Sequence, residues 1–168
     1  MMIPVVVESV RMNLANSQRV VILKDDKLDR YLLVWVGPSE SNAIALELQG
    51  EKAPRPLTAD LLKSVIEHLG AQVKSVNVTD LTDGIYYARL VLQNDESEEI
   101  EVDCRPSDAI ALAVRANAPI FVEEEILDSE SIKMPSEQDD RLDVYRDFVN
   151  SLFEGGFDIE EGERRPDA

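Results

Sequence analysis

The sequence predicts an α+β fold: a compact mixed β-sheet of about six strands, three packed helices and a C-terminal amphipathic helix. Three observations carry this. Short runs rich in Val, Ile and Leu alternate with polar turns, as at residues 3–12, 18–24 and 85–93. Other segments open with a helix-start signature and then repeat apolar residues at helical spacing. No apolar run is longer than the strand-sized residues 31–36, far short of the ~20 residues of a membrane span.

In chain order, residues 3–12 and 18–24 read as strands around the turn Asn13-Leu14-Ala15-Asn16-Ser17. After the charged connection at 25–29, Tyr31-Leu32-Leu33-Val34-Trp35-Val36 is unbroken and apolar, which predicts a strand covered on both faces with Trp35 in the core. Gly37-Pro38-Ser39-Glu40 opens a helix, with proline at its first position and an acid in its first turn, and Gly50 ends it. The loop Pro54-Arg55-Pro56 is extended. A second helix starts at the N-cap candidate Thr58 and carries the stripe Leu61/Leu62, Val65/Ile66, Leu69 up to Gly70.

Residues 72–79 and 85–93 form the next strands, joined by the Asp83-Gly84 hairpin signal. The strand at 98–104 alternates, sending Ile100, Val102 and Cys104 one way and Glu99, Glu101 and Asp103 the other. The nearly all-apolar helix from Pro106 stops before Pro119. A short strand at 119–122 and a helical turn at 123–127 follow. Residues 1–133 therefore read as one domain. Residues 134–168 read as an appendage: an acidic helix with the stripe Leu142, Tyr145, Phe148/Val149, Leu152, then a polar, disordered end. One internal echo is present. Pro38-Ser39-Glu40 before Ala43-Ile44-Ala45-Leu46 matches Pro106-Ser107-Asp108 before Ala109-Ile110-Ala111-Leu112, a possible β-α duplication that would set two acidic helix starts face to face.

Composition narrows the function classes. The chain has 168 residues, 44% hydrophobic and 30% charged, as expected of a soluble globular protein. A single cysteine, Cys104, and no basic-then-apolar leader after Met1 predict a cytoplasmic protein. The net charge is −17, of which residues 123–168 hold sixteen acids against five bases. No broad basic face is available to a nucleic acid, so a polyanion would need a local arginine cluster or bound divalent cations. Nor is there a glycine-rich phosphate loop, a cysteine pair for zinc or a nucleophile elbow, and the lone His68 sits at the edge of an apolar stripe, as a structural histidine does.

What remains are acids and arginines at element ends: Glu40, Arg55, Asp60, Asp103, Arg105, Asp108 and Arg115. Oxygen ligands of this kind suit Mg²⁺ or Mn²⁺, which activate water and offset phosphate charge while an arginine steadies the transition state. The metal candidates are Asp103, Asp108, Glu40 and Asp60; the catalytic candidates are Asp103, Arg105 and Asp108; Arg55 and Arg115 are candidates for holding substrate phosphate. The same residues have a structural explanation, in which Glu40, Asp60 and Asp108 stabilise helix starts and Asp103 pairs with an arginine.

Four strings carry a resemblance. They are Trp35-Val36-Gly37 through Ala43-Ile44-Ala45-Leu46, Pro54-Arg55-Pro56-Leu57-Thr58 through Asp60-Leu61-Leu62, Asp83-Gly84-Ile85-Tyr86-Tyr87-Ala88-Arg89-Leu90, and Asp103-Cys104-Arg105-Pro106-Ser107-Asp108 through Ala113. In this order, over roughly residues 3 to 130, the chain resembles the bifunctional nuclease (BFN) domain family, and Tyr145-Arg146-Asp147-Phe148 resembles the helix that often follows that domain. The resemblance implies a mixed α/β domain that cleaves DNA and RNA. One departure is Thr58-Ala59-Asp60, where the family usually reads Thr-His-Asp. Either that histidine is dispensable or this member has reduced activity. The tail carries no UvrB/UvrC-like motif of the kind some relatives have. The alternative to a nuclease is a non-catalytic interaction module, and the apolar run with the acidic helix suits a homodimer or homotrimer.

Overall fold

A computed structural model describes residues 1–133. The disordered end and the amphipathic helix read from residues 134–168 lie outside the described residues. Seven strands and four helices follow in the order β1 (Met2–Met12), β2 (Arg19–Asp25), β3 (Tyr31–Val36), α1 (Pro38–Leu48), α2 (Thr58–His68), β4 (Ala71–Thr82), β5 (Ile85–Asn94), β6 (Glu99–Cys104), α3 (Pro106–Ala116), β7 (Ile120–Glu123) and α4 (Glu124–Glu130). They form one mixed sheet in the order β3-β2-β1-β7-β4-β5-β6, so the α+β class is as read from the sequence, and the short strand and helical turn read at 119–127 are β7 and α4.

The echo between Pro38 and Pro106 coincides with a structural repeat. Each helix start ends an antiparallel three-strand meander, β1-β2-β3 before α1 and β4-β5-β6 before α3. The short strand β7 joins the two meanders, antiparallel to β1 and parallel to β4. Asp83 and Gly84 both take positive φ, the backbone of a tight primed hairpin turn. Register breaks at Val7/Ser9, Val73/Ser75 and Val78/Asp80 add twist to β1 and β4. The sheet curls far enough that the segments leaving its two outermost strands, at Glu40 and Arg105, touch.

The core lies on the inner face of that curl. Val21, Leu23, Leu32, Val34, Val76, Val78, Ala88 and Leu90 face Ile44 of α1, Ile66 of α2, Ile110 and Leu112 of α3, and Leu127 of α4. Helix α3 is buried nearly all round, as its composition requires. Two expectations are corrected. Strand β3 is an outermost strand rather than a doubly covered one, and Trp35 is on the outer face and about half exposed rather than in the core. Helix α2 buries only Ile66 of its stripe; Leu61, Leu62, Val65 and Leu69 are exposed. No helix among the described residues is long and apolar enough to cross a membrane.

Candidate active site at the paired helix starts

Glu40 and Asp108 occupy the same place in their helices, the third residue after a proline-opened start. The N-cap residues Gly37 and Arg105 make no side-chain cap bond. Glu40, which also takes its own first-turn N–H, and Asp108 both turn to Arg105, which Pro106 leaves in extended backbone at the end of β6. Arg105 grips Asp108 with two bonds, Nε to Oδ2 at 2.8 Å and Nη2 to Oδ1 at 2.9 Å. The same Nη2 donates to Glu40 Oε1 at 2.7 Å. The cluster is at the surface, with the Arg105 side chain 65% exposed. The hydrogen bonds to Asp108 and Glu40 hold the Arg105 guanidinium well above its ordinary pKa. The Glu40 carboxyl is held below its ordinary value, first by its own backbone N–H and then by Arg105.

Gly37 completes this corner, a role the sequence did not reveal. A Cβ there would stand 2.5 Å from Glu40 Oε2, so a side chain at 37 would push the carboxylate off its place beside Arg105. Only the position after a strand and before Pro38 hinted at it.

The other end of α3 is tied to α1 in a different way. The Arg115 side chain is 4% exposed and spends its donors on the protein: Nε to Asp60 Oδ1 at 2.7 Å, Nη1 to the Ala111 carbonyl and Nη2 to the Ala43 carbonyl, both at 2.9 Å. It is a buried clamp, not an arginine open to phosphate. Asp60 also accepts the Leu57 N–H at 2.8 Å, so Leu57 rather than Thr58 is the N-cap of α2 and Asp60 closes the turn. Burial works to raise the Asp60 pKa, but the Leu57 N–H and Arg115 outweigh it and hold the carboxyl low. Ala59, where the resemblance leads one to expect histidine, is half-buried against the core beside this pair. Arg55 lines a cleft of about 300 Å³ with Lys52, Asp60 and Arg115.

Asp103 lies apart. It is on the outer face, opposite Arg89 in the β5–β6 register, and pairs with it at 3.8 Å. The structure therefore joins Glu40, Arg105 and Asp108, joins Asp60 with Arg115, and separates Asp103 from both. Among the described residues no three carboxylate, histidine or cysteine groups converge as a metal-binding set. Cys104 is half-buried on the inner face, its thiol against the Ala88 carbonyl. Burial, with Asp103 and Asp108 nearby, pushes the thiol up to about 11, too high for a nucleophile at neutral pH. His68 is exposed, its ring nitrogen Nδ1 bonded to the Ser64 carbonyl oxygen at 2.7 Å.

Asp25 adds a third carboxyl held low in the fold. Its burial is outweighed by the Lys27 N–H and by Arg30, which donates twice to Oδ2 at 3.0 and 2.8 Å. For Asp25, Glu40 and Asp60 the folded pKa lies below the ordinary values of 3.8, 4.5 and 3.8, so their contribution is complete above those values. It is lost as pH falls through the folded values. Urea melts between pH 7 and pH 2 should show stability level down to about pH 5 and falling below it. A midpoint independent of pH across that range would contradict these pairings.

The fold and this arrangement define a class: an α+β domain built on two β-β-β-α units, with an arginine–carboxylate cluster where the units' helices begin. Comparison with known proteins agrees. A family model described as "Bifunctional nuclease domain" matches residues 21–135, and the chain belongs to that family. A Mycobacterium tuberculosis (strain H37Rv) protein named only as uncharacterized is 38% identical over 155 residues, 87% of this chain and 92% of its own length. "Bifunctional nuclease 1" of Oryza sativa subsp. japonica is 32% identical over 122 residues, 71% of this chain and 37% of its own. "Bifunctional nuclease 2" of Arabidopsis thaliana is 28% identical over 124 residues, 73% and 38%. The chain thus spans little more than a third of these plant relatives.

Proposed function

We propose that this chain hydrolyses phosphodiester bonds of DNA, RNA or both, with Mg²⁺ or Mn²⁺ as cofactor, at the paired starts of α1 and α3. The observation that carries this reading is the meeting of Glu40, Arg105 and Asp108 at one exposed corner in a chain of this family. The residues there fit a hard cation. Mg²⁺ is usually held by one or two carboxylates, with water and substrate phosphate completing its shell. Glu40 and Asp108, which share one guanidinium nitrogen, offer such a pair. Asp60, engaged by Arg115, and Asp103, on the other face, stand outside it.

When bound, the cation would supply an activated water and offset phosphate charge. Arg105, exposed and always charged, holds a phosphate oxygen, while Lys52 and Arg55 line a separate cleft at the other end of α3. A few local cations suffice for a short single strand, in keeping with the net charge of −17. The test is cleavage of single-stranded DNA and RNA by the purified chain. Cleavage should need Mg²⁺ or Mn²⁺, stop with EDTA, follow the protein through a final column and fall in Arg105→Ala. Cleavage that parts from the protein on that column, or is untouched by EDTA, contradicts the proposal.

The exposed α2 face of Leu61, Leu62, Val65 and Leu69 favours a second reading, an interaction module that works as a homo-oligomer. Oligomers that a Leu61→Ser/Val65→Ser variant reduces to monomers, in a preparation without cleavage, would select it.

A further inference from the structure

Helix α1 packs on β1 and β2, α2 on β4, α3 on β3, β4 and β5, and α4 on β3 and β7. Strand β6, at the end of the sheet beyond β5, is the strand they leave open. Its residues from Glu99 to Asp103 are all exposed. Ile100 and Val102 point to the inner face, opposite Leu92 and Leu90, yet are 46% and 41% exposed. Glu99, Glu101 and Asp103 point to the outer face.

The backbone of this edge is open as well. In the turn before β6, the Asn94 N–H donates to the Glu98 carbonyl at 3.1 Å, which sets the phase of the β5–β6 ladder. Ile100, Val102 and Cys104 therefore bond to β5, and the N–H and C=O groups of Glu99, Glu101 and Asp103 face away from the sheet. A row of such groups beside exposed apolar side chains is a template for one more strand.

Charge selects the occupant. Lys74 pairs with Glu99, and Arg89 with Asp103 at 3.8 Å. Glu101, opposite Val91, has no ion pair among the described residues. A second copy is a poor fit. Residues directly opposite one another in an antiparallel pair share a face, so two β6 strands would set acid against acid. These acids guard the edge against its own kind, but they attract a strand that carries bases at the same alternation.

We propose that the free edge of β6 binds, antiparallel, an extended segment of a partner protein in which Lys or Arg alternates with Val, Ile or Leu. The bases lie on the outer face and exchange backbone hydrogen bonds with Glu99, Glu101 and Asp103. The apolar residues lie on the inner face beside Ile100 and Val102. Strand β6 runs directly into Arg105, so the partner is held next to the paired helix starts. Docking itself requires no cleavage there.

The probe is a labelled, amide-capped peptide of about seven residues, enough to span β6, in which lysine alternates with valine. It is titrated against the full chain and followed by fluorescence anisotropy. N-methylation of the lysine amides should weaken binding about tenfold or more, because those N–H groups meet the β6 carbonyls. N-methylation of the valine amides, which point away from β6, should change it by less than about twofold. Glu101→Lys, with circular dichroism confirming the fold, and a shuffled peptide of the same composition should each weaken binding about tenfold or more. Equal binding by the shuffled or the lysine-methylated peptide would reduce the effect to attraction by a chain of charge −17 and overturn the proposal. Absence of binding would overturn it too. So would protection of the Glu101 amide from exchange that grows with protein concentration and needs no peptide, since a second copy would then hold the edge.

Discussion

An Arg115→Ala variant is expected to lose about 3 kcal/mol or more of stability, the lower part of the ~3–5 kcal/mol typical when one partner of a buried pair is removed. The lower part applies because the Asp60 side chain is 38% exposed and water can take over some of Arg115's work. The loss has three sources. Asp60 is stranded, the carbonyls of Ala111 and Ala43 lose charged donors, and a cavity opens between α1 and α3. Arg115→Lys should recover little, since one ammonium cannot satisfy acceptors on α1, α2 and α3 with the fork geometry of guanidinium. Urea unfolding at pH 7 measures this as a fall in midpoint at unchanged slope. A loss under about 1 kcal/mol would mean that Arg115 is only a surface-like pair.

Glu40→Gln and Asp108→Asn are expected to lower nucleic-acid cleavage by on the order of 10²-fold or more, the scale seen when one group stabilising transition-state charge is removed. Both keep size and shape but lose the charge that holds a cation. Neither should unfold the domain. Their arginine partner is largely exposed, and exposed ion pairs contribute only about 0–1 kcal/mol. Activity and stability therefore separate here, whereas at Arg115 they fall together. That contrast distinguishes a chemical site from a structural clamp built of the same residue types.

How much of this was legible in the sequence depends on how local each signal is. The starts of α1 and α3 were, because proline at a first helical position needs no tertiary partner. The split between Cys104 and Asp103 followed from strand alternation alone. The insertion of β7 between the two meanders was not legible, since a four-residue strand without a hairpin partner carries no register of its own. Trp35 was misplaced because an unbroken apolar run looks the same on an outermost strand as on a central one. Arg115 was read as a phosphate ligand because a cation in a last helical turn is locally satisfactory, and nothing in the sequence shows that α1 and α2 close over it. The joining of Glu40 to Asp108 was foreshadowed by the Pro-Ser-acid echo, but Arg105 as the bridge required the curl of the whole sheet.

The most direct measurement of the proposed site is single-turnover cleavage of single-stranded DNA and RNA in Mg²⁺ and in Mn²⁺ by four proteins: wild type, Glu40→Gln, Asp108→Asn and Asp103→Asn. The expected result is a strong loss in the first two variants and near-wild-type cleavage in Asp103→Asn, whose carboxylate faces away beside Arg89. Undiminished cleavage in Glu40→Gln and Asp108→Asn, or a loss confined to Asp103→Asn, would contradict a site at the paired helix starts.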